Sequence, residues 1–116
     1  MELIDSKTAT VLSQYPLYSQ EAKGDDAVAF IKFFLPGTDW TWYVTEGQRM
    51  ENGDWHLFGL VTNPYEEKEL GYFYLSQLEE TFQMPVNING VIVRVPVQVE
   101  RDLYFKPTTL KKLYDL

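Results

Sequence analysis

The spacing of apolar and polar positions is typical of β-strands along most of the chain. Four segments of strand length are rich in aromatic and β-branched residues and are bounded by turn-forming residues. These segments are Ala27–Leu35, Trp40–Thr45, Trp55–Val61 and Leu70–Leu75. Asn52-Gly53 lies between the second and the third, and an Asn-Gly pair between β-formers favours a tight reversal. We therefore predict an antiparallel hairpin that turns at this pair.

A second hairpin is predicted later in the chain, where Asn89-Gly90 separates Val86–Ile88 from Val91–Val95. The same turn chemistry applies there, and the flanking residues are again strong β-formers. The stretch Val97–Phe105 is expected to continue as extended chain.

Three short helices are expected between and around these strands. They are Ser6–Ser13, a helix of about two turns from Ser76 to Met84, and Pro107–Leu116. Ser76 and Glu79 have the spacing of a capping box, and Pro85 cannot continue a helix.

Strands dominate this pattern, and it lacks the alternation of strand and helix that builds a parallel sheet. We predict an α+β fold with a mainly antiparallel sheet of four or more strands and short helices. The 116 residues match the usual size of one domain, so we assign residues 1–116 to a single domain. Phe33, Trp42 and Phe58 are expected in its core.

The composition narrows the setting in which the protein works. No apolar run approaches the roughly 20 residues that span a bilayer, and residues 1–5 lack the features of a signal peptide. The chain has no cysteine, which excludes disulfides and thiolate ligands and fits a reducing compartment. We expect a cytoplasmic protein with no membrane contact.

The net charge of −7 is unevenly distributed. Residues 1–93 carry 5 basic and 14 acidic side chains, whereas residues 94–116 carry 5 basic and 3 acidic ones. Binding to the phosphate backbone needs a basic face, so this acidic chain is not expected to bind nucleic acid in general. Acidity fits a basic protein partner or simply solubility.

The residues that usually carry chemistry are sparse. His56 is the only histidine, and without cysteine it cannot build a zinc site. Carboxylates near residues 25–26, 66–69 and 79–80 are expected to be solvated or to favour a helix N-terminus. No Walker motif or nucleophile elbow is present. We expect no catalytic residue, no cofactor and no bound metal, so an enzyme is the less favoured class.

The segment Glu100–Lys106 admits two interpretations. In a strand, alternation places one set on one face (Glu100, Asp102, Tyr104, Lys106) and another on the opposite face (Arg101, Leu103, Phe105). Glu100 and Asp102 would hold a divalent cation in a metal-dependent phosphoesterase. Alternatively the motif is structural: Arg101 then faces the core and needs an acidic partner, such as Glu46.

Trp40, Trp42 and Tyr43 form an aromatic segment with two interpretations of its own. Alternation puts both tryptophans on one strand face and Tyr43 on the other. Rings on a sheet can stack on bases, but nucleic-acid binders combine them with Lys and Arg, and this region is acidic. Core packing is the favoured interpretation, and a protein-binding patch is the second.

Several stretches taken together resemble the bacterial domain of unknown function 2958, and the resemblance covers nearly the whole chain. In chain order they are Tyr18–Glu21, Val28–Phe34, Trp40–Tyr43 with Glu46, Leu57–Val61, Glu69–Phe73 and Glu100–Thr108. By this resemblance, the Val86–Val95 hairpin looks like an addition relative to shorter members of the family. The resemblance implies occurrence on plasmids, phages and integrative elements, with an accessory or counter-defence role.

These observations lead to one functional hypothesis and two alternatives. The leading hypothesis is a small acidic accessory protein of a mobile element that acts non-enzymatically by binding another protein. One alternative is a weak nucleic-acid-binding module that uses the Trp/Tyr sheet face and the basic residues 94–116. The other is the metal-dependent phosphoesterase at Glu100 and Asp102.

Overall fold

The structure is a computed structural model that describes residues 1–65 and 67–116. Its α-helices are α1 (Ser6–Leu12), α2 (Leu75–Leu78) and α3 (Leu110–Tyr114), and Glu21–Asp26 form an irregular 3₁₀ segment. Its strands are β1 (Val28–Ala29), β2 (Ile31–Phe34), β3 (Thr41–Arg49), β4 (Trp55–Thr62), β5 (Lys68–Tyr74), β6 (Thr81–Ile88), β7 (Val91–Gln98), β8 (Glu100–Arg101) and β9 (Thr108–Thr109). None of the helices in these ranges has the length and apolar character needed to cross a membrane.

A five-stranded sheet in the order β5-β4-β3-β2-β8 forms the centre of the fold, and all its neighbouring strands are antiparallel. The predicted α+β class and antiparallel sheet are therefore confirmed. The β3–β4 hairpin turns at Asn52-Gly53 as expected, with Gly53 at φ 88°. Positive φ is readily adopted by glycine, which explains the residue at this turn.

Both faces of the sheet are covered. On one face, Phe33, Trp42 and Val44 pack under α1 and α2. On the other, Tyr43 and Leu60 pack against α3. Successive residues of β3 therefore enter two different cores, as strand alternation requires. The core positions of Phe33 and Trp42 are confirmed, with Trp42 only 9% exposed.

Phe58 was expected in the core, and that prediction is wrong. It is only partly buried, and its ring lies 4.7 Å from the ring of Tyr72 on the edge strand β5. A bulge in β3 between Val44 and Glu46 shifts the register, so that Phe58 pairs with Glu46. A bulge re-aims the side chains next to it.

The helix predicted from Ser76 to Met84 is also wrong beyond its first turn. α2 ends at Leu78, and the following residues form β6. Ser76 is not the N-cap: its N–H and hydroxyl donate to the Asp54 carboxylate at 3.0 and 2.7 Å. Tyr74 is the N-cap instead, and its N–H donates to the Gln77 side chain. The complete eight-residue ladder with β7 outweighs the local helical signal.

Two extended segments are shorter than predicted. Ala27–Leu35 is interrupted at Phe30, so that β1 pairs with β9 and only β2 joins the main sheet. Val97–Phe105 is not one strand either: it divides into the end of β7, the two residues of β8, and a turn. The final helix is present but shorter than the predicted Pro107–Leu116. Thr108 and Thr109 pair with β1 as β9, and α3 begins only at Leu110, where the Thr109 hydroxyl accepts the Lys112 N–H at 3.3 Å.

Strands β6 and β7 form a separate two-stranded ribbon with their Asn89-Gly90 turn, and we call this ribbon the arm (residues 81–98). Eight residues of strand extend over about 27 Å. The radius of gyration is 15.2 Å, larger than the roughly 13 Å of a compact chain of this length. Phe82 and Val97 pack on the core, whereas Ile88 and Val91 at the other end are exposed. The arm therefore projects from the body.

Candidate functional site

The Glu100–Lys106 segment does not form the two-faced strand that the sequence predicted. Strand pairing ends at Arg101, and a turn begins at Asp102. The Asp102 carboxylate accepts the Tyr104 N–H at 2.9 Å within this turn. Leu103 is consequently exposed instead of facing the core. Phe105 is partly buried, with its ring 5.7 Å from that of Tyr43. Glu100, Tyr104 and Lys106 are exposed.

Arg101 has an acidic partner, but it is Asp5 and not Glu46. Nη2 donates to Asp5 Oδ2 at 3.0 Å, and Nη1 donates to the Leu3 carbonyl at 2.7 Å. Asp5 also accepts the Thr8 N–H as the N-cap of α1. That backbone contact and then the guanidinium lower the pKa of Asp5. Arg101 thus fastens the chain before α1 to the sheet edge, which favours the structural interpretation.

We expect Arg101→Ala to lower the free energy of unfolding by about 2 kcal/mol, the range of hydrogen bonds to charged groups. Arg101→Lys should recover less than half, because one ammonium lacks the planar fork that reaches both Leu3 and Asp5. Urea unfolding measures both. Arg94→Ala, which removes an exposed arginine, is the control and should match wild type. A wild-type midpoint for Arg101→Ala would mean that the contacts contribute nothing to stability.

The aromatic segment lies mostly inside the protein. The rings of Trp40 and Trp42 stack with centroids 6.0 Å apart, and Trp42 and Tyr43 are buried. Burial and then the charge of Asp102 raise the pKa of the Tyr43 hydroxyl. Lys32 pairs with Asp102 at 3.6 Å and lies over the Tyr43 ring. Trp42 and Tyr43 are therefore not free to stack on bases.

Glu100 and Asp102 are the metal ligands that the phosphoesterase alternative requires. Within residues 1–65 and 67–116, no three His, Asp or Glu side chains lie close enough together to hold a metal ion. Asp102 instead pairs with Lys32. Glu66 lies outside the described residues, whereas its neighbours Glu67 and Glu69 are exposed as expected.

A different site surrounds Glu46, a carboxylate that is only 3% exposed. Oε1 accepts the Tyr18 N–H at 2.7 Å, and Oε2 accepts the Gln20 N–H at 2.9 Å. Tyr18 has φ 74°, a conformation that is uncommon for a residue with a side chain. Such backbone strain concentrates at functional sites and persists only where its surroundings fix it. Glu46 is what fixes it here.

Gln20 holds the same loop to two strands. Its side-chain Nε2 donates to the carbonyls of Val28 and Thr45 at 2.9 and 2.7 Å, and its Oε1 accepts the Val28 N–H at 2.8 Å. The amide is 1% exposed and makes three hydrogen bonds. The loop is therefore rigidly attached to the sheet.

Aromatic rings cover the sheet beside Glu46. Tyr72 lies 4.7 Å from Phe58 and 6.4 Å from Tyr18 between ring centroids. Farther along the same face, His56 stacks on Tyr74 at 4.7 Å. His56 is thus a sheet residue, as expected. Together with the loop, the rings enclose a cavity of about 180 Å³, which we call the groove. Its acidic and aromatic lining residues are Tyr18, Glu21, Asp25, Glu46, Phe58 and Tyr72.

Negative charge dominates the groove. Glu21, Asp25 and Glu46 line it, whereas Lys and Arg are absent from its described lining. The pKa of the Tyr72 hydroxyl is raised by partial desolvation, then by the neighbouring Tyr18 hydroxyl, and then by the charges of Glu46 and Glu21. The groove therefore presents an electron-rich, negatively charged surface.

Comparison with known protein families gives a match over nearly the whole chain. The family model described as "Protein of unknown function (DUF2958)" matches residues 3–114 of the 116. The chain belongs to the DUF2958 family. The suspected resemblance is confirmed on this point. No curated protein and no solved structure matches the chain.

Stretches that carry the DUF2958 resemblance meet in the groove. Tyr18 and Glu21 belong to the first of them, Glu46 accompanies the third, and Phe58 and Tyr72 come from the two paired strands β4 and β5. This site was missed from the sequence. Alternation along β4 and β5 places Phe58 and Tyr72 on one face and was the available signal. The left-handed backbone conformation of Tyr18 has no corresponding signal in the sequence.

Proposed function

We propose that this DUF2958 protein is a non-enzymatic accessory protein that acts by binding another protein. The exposed apolar face of the arm is the observation that carries the proposal. A setting on a plasmid, phage or integrative element, and a counter-defence role in that setting, are supported by the family resemblance alone.

The arm has one face made entirely of apolar side chains. They are Phe82, Met84, Val86 and Ile88 of β6, opposite Val97, Val95, Val93 and Val91 of β7. Towards the tip, Ile88, Val91 and Val93 are exposed. An isolated two-stranded ribbon is marginally stable in water, and an exposed apolar patch marks an interaction surface. A partner that covers this face would bury apolar area at about 25 cal/mol per Å².

The partner contacts the face of the arm and not its edges. Pro85 pairs with Arg94, and Pro96 pairs with Gln83. In this register both prolines occupy positions whose N–H would point away from the other strand. Each outer edge therefore lacks a donor near its middle, which disfavours the addition of another strand.

Charge favours a different protein over nucleic acid or a second copy. Arg94 is the only charged residue within residues 81–98, too little to neutralise a phosphate backbone. Two copies would bring together chains of net charge −7 each, which repel one another. A neutral or basic protein with an apolar surface needs no basic residues on the arm and is not repelled by the acidic chain.

The test compares two substitutions on neighbouring residues of β7 with nearly equal exposure. Val91 is 62% exposed on the apolar face, and Ile92 is 63% exposed on the opposite face. Immobilised wild type and Ile92→Asp should retain the same protein from a bacterial host extract, and Val91→Asp should not. With that protein purified, Val91→Asp should bind at least about tenfold more weakly by calorimetry, because a carboxylate is then desolvated.

Equal retention by all three proteins would refute a role for the apolar face. Retention of nucleic acid alone would favour the nucleic-acid alternative. Light scattering of the wild type should give a monomer, and a dimer lost in Val91→Asp would show that the arm binds a second copy.

A further inference from the structure

The groove around Glu46 lies on the sheet face that also packs against α3. Its volume of about 180 Å³ lies below the roughly 300–1,000 Å³ of small-molecule sites. One protruding side chain is the ligand that such a space suits. The arm does not line this groove, so the two surfaces can be tested separately.

The buried carboxylate indicates the charge of that side chain. Glu46 forms no ion pair within residues 1–65 and 67–116. Its oxygens accept two N–H groups, whereas an ionised carboxylate has room for about four. A buried charge is costly unless it is paired as well as hydrogen-bonded. A cation in the groove supplies the missing charge.

We infer that the groove binds the guanidinium of an arginine side chain presented by a polypeptide partner. Arginine suits it because a planar guanidinium stacks on aromatic rings and donates to a carboxylate at the same time. Tyr18, Phe58 and Tyr72 offer the rings, and Glu46, Glu21 and Asp25 offer the negative charge. This inference rests on the proposed function only in assigning the arginine to a polypeptide.

A bare metal ion fits these observations less well. The described acids near Glu46 do not converge into a group of three that would hold a metal. Aromatic rings also contribute little to a hard cation, which prefers oxygen ligands alone. An organic cation interacts with both the carboxylates and the aromatic rings of the lining.

The experiment titrates the full chain with N-acetyl-arginine amide while backbone amide signals are followed by NMR. The probe should shift the signals of Tyr18, Glu46 and Tyr72, with a dissociation constant in the millimolar range, on the order of 1 mM. The citrulline analogue, which has nearly the same shape but no charge, should bind at least about tenfold more weakly. The lysine analogue should bind more weakly than arginine, because ammonium lacks the plane that stacks.

Matched variants locate the site. Tyr72→Leu removes a groove ring that is 49% exposed, and Tyr74→Leu removes a ring that is 37% exposed on the same strand face but outside the groove. Tyr72→Leu should weaken arginine binding about fivefold or more, and Tyr74→Leu should not. Glu21→Gln, at an exposed position, should weaken it as well.

Equal affinity for the arginine and citrulline probes, or an affinity for arginine that is unchanged in Tyr72→Leu, would overturn the inference. A partner captured through the arm with no arginine binding in the groove would refute this site alone. Arginine binding without any arm-dependent partner would refute the proposed use of the arm alone.

Discussion

Gly59→Ala should destabilise the central sheet severely, although it adds only one methyl group. A methyl at Gly59 points at the carbonyl oxygen of Tyr43 in β3 and also meets the Val44 Cα at 3.0 Å. These are backbone atoms in the middle of the sheet, so no side chain can rotate aside. Overpacking typically costs 1–3 kcal/mol and more where nothing can yield, so we expect a loss of at least about 3 kcal/mol. Thermal unfolding should show a midpoint at least about 10 °C lower.

Gly71→Ala is the matched control for this prediction. Gly71 pairs directly with Gly59 on the neighbouring strand, yet a Cβ there meets nothing within 4 Å. Its φ lies outside the left-handed region, so alanine is expected to be unchanged or stabilising by up to about 1 kcal/mol. Equal midpoints for Gly59→Ala and Gly71→Ala would show that the backbones of β3 and β4 are too far apart at Gly59 for a methyl group to clash.

Trp42→Ala should cost about 3–5 kcal/mol, the usual range for deleting a buried large ring. The ring belongs to the main core, pairs in register with Phe33, and stacks on Trp40. The free energy of unfolding of an ordinary domain is about 5–15 kcal/mol, so this substitution should remove a large part of the stability. The free energy of unfolding from urea titration measures the loss.

Two comparisons check that burial is the cause. Trp40→Ala should cost less, because Trp40 is only partly buried. Tyr104→Ala removes a ring that is exposed on a turn and should leave stability unchanged. If Trp42→Ala unfolds like wild type, the ring is accessible and a binding role for the tryptophans gains support.

The sheet could be predicted from the sequence because its information is local. Asn52-Gly53 and Asn89-Gly90 dictate where the chain reverses, and alternation on either side then gives strand pairs and faces. The segment Thr81–Met84 misled for the opposite reason. It forms a strand because it pairs with Val95–Gln98, and the sequence of these four residues alone gives no sign of that pairing.

The contacts of the polar residues were harder to predict. Arg101 has the acidic partner that its predicted position required, but Asp5 lies 96 positions away and nothing local selects it over Glu46. The groove depends on a bulge in β3 and on one left-handed residue, Tyr18. Both are decided by packing between distant segments, so neither is encoded by a periodic pattern.

The side chain of Gln20 stands in for a peptide group. Its amide donates to and accepts from Val28 and also donates to Thr45, so it bonds to these backbones as another strand would. Because a loop fixed in this way has already lost its conformational entropy during folding, a ligand in the groove need not order the wall that carries Tyr18. Amide hydrogen exchange at Gln20 and Val28 should accordingly be as slow in the free protein as in the central strands.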